Sequence, residues 1–113
     1  MRAPPIPKWS LIHTINYADY SEVDDFGNST FAEPITIEHI RVDETPVFSH
    51  DGTQKQIVAN AVIFVDAMHS KPFVAFAEQS QIIFKEREMV IQKVIPCYQP
   101  GVDEIHHYEL EVI

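Results

Sequence analysis

A chain of 113 residues has the length of one domain, and with 45% hydrophobic residues it can bury a single core. Its 8 basic and 17 acidic residues give a formal net charge of -9, which argues against binding to nucleic acid or to an anionic membrane surface. One cysteine excludes an internal disulfide and a multi-cysteine zinc site, and the three glycines form no phosphate-binding pattern.

The acidic residues are concentrated in one part of the chain. Nine of the 17 lie between Asp19 and Asp51, where Arg41 is the one basic residue. A solvated acidic face is the ordinary explanation for such a charge run. The charge distribution alone therefore indicates no particular function.

Alternation of apolar and polar residues predicts six β-strands and no helix. In the second of them, the apolar side changes from Ile35 and Ile37 to Ile40 and Val42, which indicates a β-bulge or a barrel corner. Short strands joined by turn residues predict one all-β domain, either a small antiparallel barrel or a sandwich. The predicted strands are 10–18, 35–42, 57–65, 80–84, 89–95 and 105–113.

The segments between these strands are predicted to be loops. Three prolines make residues 1–8 an extended leader, and residues 19–33 are a loop or a loose hairpin. Residues 96–101, which contain a Pro-Gly pair, are another loop. Residues 43–56 form a long loop of about fourteen residues, and loops of this length are usually functional or disordered.

The six histidines and the cysteine raise the question of a metal or catalytic site. His106 and His107 are adjacent, so on a strand they are predicted to face opposite ways and not to share one ion. Cys97 falls in a predicted loop without a basic neighbour, which favours the role of a small buried hydrophobe. Glu109 and Glu111 are predicted to line an exposed sheet edge. We therefore predict no catalytic, metal-binding or cofactor-binding residue, and no enzymatic activity.

Several stretches, in this order and spacing, resemble one known family. They are residues 7–14 (PKWSLIHT), 35–43 (ITIEHIRVD), 56–66 (QIVANAVIFVD), 93–96 (KVIP) and 104–113 (EIHHYELEVI). Together they resemble the minor capsid protein family that tailed phages and prophages of low-GC Gram-positive bacteria encode. The likeness runs nearly from end to end, but these stretches contain no catalytic motif, so no functional residue can be transferred one by one.

The resemblance implies a structural role in the virion. Members of the family look like head-completion proteins of the head–tail connector, often called stoppers. The resemblance thus implies a small β-barrel with a long extended loop, which forms a ring beneath the portal and adaptor. It also implies a position at the head–tail junction, after synthesis in the cytoplasm of the bacterial host. No cofactor and no membrane contact are expected.

The implied partners are the portal or adaptor ring, the tail-completion proteins and further copies of the chain itself. Packaged DNA would pass through the channel without sequence-specific binding, since carboxylates lining the channel repel phosphates. Five aromatic residues in loop-like stretches are candidates for contacts between subunits, although each could equally anchor a loop onto its own barrel. They are Trp9, Phe26, Phe31, Phe73 and Phe76.

The long loop at residues 43–56 is the predicted plug of the channel. We expect it to project from the barrel, with Phe48 or His50 nearest to the channel axis. A surface insertion without consequence is the alternative interpretation. The candidate plug residues are Val47, Phe48, His50, Asp51 and Gly52.

Two other functions stay open at this point. One is a tail-completion or tail-terminator ring built on the same fold. The other is a small, non-enzymatic ligand-binding or carbohydrate-binding β-barrel of the bacterium itself. The gene neighbourhood separates a virion role from a host role, and the position of the protein on purified particles separates the two virion roles.

Overall fold

The computed structural model describes residues 3–23, 26–27, 29–49 and 56–113. Almost all of its secondary structure is β, apart from one 3-10 turn at Lys8–Ser10. The predicted all-β class is therefore confirmed. The strands are β1 (His13–Ala18), β2 (Tyr20–Val23), β3 (Ser29–Phe31), β4 (Ile35–Asp43), β5 (Val47–Phe48), β6 (Ile57–Ala59), β7 (Ala61–Asp66), β8 (Gln81–Phe84), β9 (Arg87–Tyr98) and β10 (Ile105–Val112).

Six of these strands close into a barrel, in the order β1-β4-β7-β10-β9-β8. Every neighbouring pair in the barrel is antiparallel. Each of the six strands predicted from the sequence overlaps one barrel strand, so the architecture is the barrel and not the sandwich. The other four strands form two short ladders, β2–β3 and β5–β6.

The inward side chains of the barrel strands form one core. Most of them are β-branched residues, which favour extended backbone and pack well on a pleated surface. Full burial of each such side chain is worth roughly 1.5–3 kcal/mol relative to exposure, so this core accounts for much of the stability. The core residues with no measurable exposure include Ile37, Ile40, Ile63, Val65, Ile82, Ile91, Leu110 and Val112.

Strand β4 changes the side of its buried residues, as its sequence predicts. Ile37 and Ile40 are both fully buried although they are three residues apart. His39 lies between them with a φ of 60°, in the left-handed region. Along the β1–β4 ladder, Ile15 pairs with Ile37 but His13 pairs with Ile40, so β4 carries one extra residue. The predicted bulge is thus confirmed.

Two predicted strand boundaries are wrong. The predicted strand 57–65 is divided at Asn60, whose backbone N–H donates to the carbonyl oxygen of Val112 at 2.8 Å. The predicted loop after residue 95 is strand instead, because β9 continues through Pro96 to Tyr98. Among the described strands, β10 alone pairs with residues 92–98, and a proline without an N–H is tolerated where no second strand needs one.

The predicted edge position of Glu109 and Glu111 is also wrong. Both residues belong to β10, which lies between β7 and β9 in the closed barrel. Both side chains are half-buried on its outer face, while their neighbours Leu110 and Val112 fill the core. The alternation of side chains was therefore predicted correctly, but the place of the strand in the sheet was not.

His13 on β1 makes a contact that depends on its protonation state. Its Nδ1 accepts a hydrogen bond from the backbone N–H of Val42 at 3.0 Å, and its ring meets the ring of Phe84 edge-on. Burial lowers the pKa of His13, and the positive charges of Lys85 and Arg41 lower it further. The folded protein therefore favours neutral His13.

We expect the stability of the domain to fall in mild acid because of His13. The pKa of His13 in the folded state lies below the ordinary value of 6.5, so the unfolded chain takes up the proton first as the pH falls. The contribution of His13 is then complete above the unfolded pKa and is lost as the pH decreases through the folded pKa. The variant His13→Asn supplies an amide oxygen near the Nδ1 position and does not titrate. Urea unfolding at about pH 7.5 and about pH 5 should show a smaller loss for the variant, whereas equal losses would contradict this account.

Candidate functional site

The leader is fastened to residues that are distant in the sequence. Residues 3–7 form neither helix nor strand. The backbone N–H of Ala3 donates to Oε1 of Gln99 at 2.8 Å, and the carbonyl oxygen of Pro4 lies 2.7 Å from Nε2 of His106. The beginning of the described chain is therefore held against the hairpin that joins β9 to β10.

Asp66, at the end of β7, makes the third contact to the leader. Its side chain is fully buried, and its Oδ1 accepts the backbone N–H of Ile6 at 3.0 Å. Its Oδ2 accepts the N–H groups of Met68 and His69 at 3.0 and 2.9 Å. A buried carboxylate is tolerated where such donors replace water. Asp66 therefore fixes both the turn after β7 and the leader.

Three side chains that can bind metals converge on the outer face of the barrel. Cys97 of β9 lies opposite His107 of β10, and Glu109 follows two residues after His107 on the same face. The Cys97 Sγ lies 3.3 Å from Oε2 of Glu109, and the His107 Nε2 lies 3.1 Å from the same oxygen. Burial, together with the carboxylate of Glu109, raises the pKa of Cys97 to about 11. We call these three residues the outer-face cluster.

The sequence pattern does not reveal this cluster. The predicted opposite orientation of His106 and His107 is wrong. His106 and His107 do not point apart, since their Nδ1 atoms are 2.8 Å from each other and their rings are nearly perpendicular. The β9–β10 ladder shifts register between Ile105 and His107, and such an irregularity turns the side chains away from strict alternation. The spacing of the residues alone does not reveal this shift.

The five aromatic contact candidates differ in their surroundings. Trp9 and Phe26 are strongly exposed, at 82% and 88%, and Phe31 is half-buried. Phe73 and Phe76 pack against the core of their own barrel, which is the alternative use considered for such residues. Contact with a neighbouring subunit stays a prediction, and Trp9 and Phe26 are the best placed for it.

Strand β5 lies within the predicted plug segment, and it pairs with β6, which follows that segment, in a short ladder. Val47 pairs with Ala59 and Phe48 pairs with Ile57, outside the closed barrel. Phe48, Ile57 and Val58 expose 45%, 51% and 38% of their surface, so the ladder presents apolar side chains to solvent. The other three candidate plug residues, His50, Asp51 and Gly52, lie outside the described residues.

The described acidic side chains of residues 19–51 lie at the surface. Asp19, Glu33, Glu38 and Glu44 are exposed, and Asp43 is half-buried. Glu44 forms an ion pair with Arg87, which is exposed too. Over the ranges that the structure describes, no helix has the length and the apolar character needed to cross a bilayer.

The chain is thus a small closed β-barrel domain with a fastened leader and an exposed apolar ladder. The family model described as "Minor capsid protein" matches residues 7–112, which is most of the chain. The protein therefore belongs to the minor capsid protein family and has a structural role in a phage virion. The family resemblance predicted from the sequence is confirmed.

One curated phage protein is similar over nearly the whole chain. It is "Uncharacterized protein ORF5" of Lactococcus phage LL-H, 26% identical over 115 residues that cover 96% of this chain and 98% of the relative. No solved structure matches the chain significantly.

Proposed function

We propose that the protein is a head-completion component, or stopper, of the head–tail connector. In this role it closes the portal channel after DNA packaging and offers a docking surface to the tail. The observation that carries the proposal is the β5–β6 ladder, which stands outside the closed barrel and exposes Phe48 and Ile57. Family membership supplies the setting in the virion.

The exposed ladder suits a plug better than a solitary domain. Apolar side chains at a channel axis can pack against the same residues of symmetry-related copies, and burial there gains about 25 cal/mol for each Å² removed from water. A single domain in solution gains nothing from exposing Phe48, Ile57 and Val58 together. We therefore infer that the ladder, with Phe48 and Ile57, faces the axis of a ring.

The charge of the chain agrees with a channel through which DNA moves. Each copy carries a net charge of -9, and the described acids of the acidic segment lie at the surface. Carboxylates near the channel repel phosphates within the screening distance of roughly 8–10 Å, so the DNA slides without being gripped. We accordingly assign the protein no catalysis and no sequence-specific DNA contact.

The partners in this proposal are the portal or adaptor ring on one side and a tail-completion protein on the other. A cyclic ring requires two different patches on each subunit, one of which meets the other on the next copy. Exposed aromatic residues such as Trp9 and Phe26 suit such patches. The position that we propose is the head–tail junction.

The test is a phage that carries a nonsense mutation in this gene, compared with the same phage complemented from a plasmid. We expect the mutant to give heads that package DNA, lose it and carry no tails. Immunolabelling of complemented particles should mark the single vertex at which head and tail meet. Stable, filled heads together with tails of abnormal length would overturn the proposal and assign the protein to tail completion.

A further inference from the structure

The outer-face cluster offers three different classes of metal ligand at one point. Cys97 supplies a sulfur, His107 an imidazole nitrogen and Glu109 a carboxylate oxygen, and these atoms lie within 4.8 Å of one another. Sulfur and imidazole ligands select Zn²⁺ over Mg²⁺ and Ca²⁺, which prefer oxygen. We propose that Cys97, His107 and Glu109 bind one Zn²⁺ ion per chain, with a water molecule as the fourth ligand.

The distances in the cluster agree with tetrahedral coordination. Zn–S bonds of about 2.3 Å and Zn–N or Zn–O bonds of about 2.0–2.1 Å place the ligand atoms of a tetrahedral site roughly 3.3–3.6 Å apart. The sulfur of Cys97 is 3.3 Å and the Nε2 of His107 is 3.1 Å from Oε2 of Glu109. All three ligand atoms lie within 4.8 Å of one another, so side-chain rotations can bring them around one ion.

The hydrogen bonds of His106 determine which ring nitrogen of His107 has the free lone pair. The carbonyl oxygen of Pro4 accepts a proton, so Nε2 of His106, 2.7 Å away, must donate it. In a neutral His106 the Nδ1 then has no proton and accepts one from Nδ1 of His107, at 2.8 Å. A neutral His107 thus has its lone pair on Nε2, the atom that faces Glu109.

This arrangement brings two acceptors, Nε2 of His107 and Oε2 of Glu109, to 3.1 Å from each other. Both atoms have a lone pair that a cation between them can bind. The sulfur of Cys97, 3.3 Å from the same Oε2, lies close enough to bind that cation too.

The surroundings of the cluster also resemble those of known zinc sites. A histidine that binds zinc commonly donates its other ring N–H to a second group, which fixes its tautomer and its orientation. His106 has this role here and is itself held by the leader through Pro4. On the opposite side, the ring of Phe64 lies beside His107, with 6.4 Å between the ring centroids. His106 is thus a positioning residue, and metal binding is coupled to the leader.

The test is a titration of the untagged, reduced and chelator-treated protein with ZnCl₂, followed by isothermal calorimetry. We expect one ion per chain, and an affinity at least tenfold lower in Cys97→Ser and in Glu109→Gln. The matched control is Glu111→Gln, because Glu111 lies on the same strand and face two residues further on, outside the cluster. The control should bind Zn²⁺ like the unchanged protein.

A second measurement avoids dependence on variants that fold poorly. Co²⁺ added in place of Zn²⁺ should give visible bands of tetrahedral cobalt and a thiolate-to-cobalt charge-transfer band. Cys97 is the only cysteine in the sequence, so the charge-transfer band would assign its sulfur as a ligand. Absence of this band in the unchanged protein would overturn the proposal, and the hydrogen bonds of Glu109 to Cys97 and His107 would then account for the cluster. Neither result bears on the phenotype of the nonsense mutant, so the two proposals fail independently.

Discussion

Deletion of residues 47–55 is expected to give phage particles that package DNA and then lose it. The deletion removes β5, which does not belong to the closed barrel, together with the residues up to 55. Residues 44–46 and 56–60 still connect β4 to β7, and these eight residues suffice for a connection between antiparallel neighbours. We therefore expect the barrel to fold and the ring to assemble, with the channel left open.

The measurement is the fraction of heads that retain DNA after purification, together with infectivity. We expect both to fall by at least tenfold, a size of effect that follows if each subunit contributes to one plug. A second variant separates the length of the loop from its side chains. It replaces residues 47–55 with nine Gly and Ser residues, which keeps the length and removes the apolar side chains. This variant should also leak DNA if packing of Val47 and Phe48 closes the channel. Normal retention of DNA by the deletion variant would show that this loop is not the plug.

Substitution of Asp66 is expected to cause a large loss of stability. Asp66→Ala leaves the N–H groups of Ile6, Met68 and His69 without their acceptor. A hydrogen bond to a charged acceptor is worth about 1.5–3 kcal/mol, and these three are partly buried, so we expect a loss of roughly 3–4 kcal/mol in the free energy of unfolding. This is a large part of the 5–15 kcal/mol that is typical of a domain, and urea unfolding measures it directly.

A suitable control is Asp43→Ala, which also removes a carboxylate that accepts backbone and hydroxyl protons. The Oδ1 of Asp43 accepts from the N–H and the hydroxyl of Thr45, but that contact is exposed to solvent. Water can replace the lost acceptor there, so we expect a loss below about 1 kcal/mol. If the two variants lose similar amounts of free energy of unfolding, burial of Asp66 does not determine its contribution to stability.

The regular part of the fold could be predicted because each barrel strand buries one side. Alternation along 35–42 revealed even the bulge at His39, since a break in the pattern is itself a signal. The strand 57–65 was predicted as one element because its apolar run continues on both sides of Asn60. The division there depends on the hydrogen bond to Val112, more than fifty residues away, which no local pattern contains.

The outer-face cluster could not be predicted for the same reason. It depends on the pairing of β9 with β10, and the predicted loop at residue 96 removed Cys97 from any strand. Proline usually ends a central strand, but β9 has a strand on one side of Pro96 and none of the described strands on the other. The contact between His106 and His107 required a register shift that adjacent positions in a sequence do not show. Short-range patterns therefore found the strands, and long-range pairing decided the site.

The position of Pro96 has a consequence for the way copies of the chain can join. A foreign strand can extend a sheet where main-chain N–H groups are unpaired, and none of the described strands pairs with the outer side of residues 92–98 of β9. Pro96 interrupts that side because it has no N–H to offer. Among the described strands, the remaining short edges belong to the β2–β3 and β5–β6 ladders. In the proposed ring, neighbouring subunits would therefore contact each other mainly through side chains. Each subunit could then join or leave the ring without exchanging a strand with its neighbour.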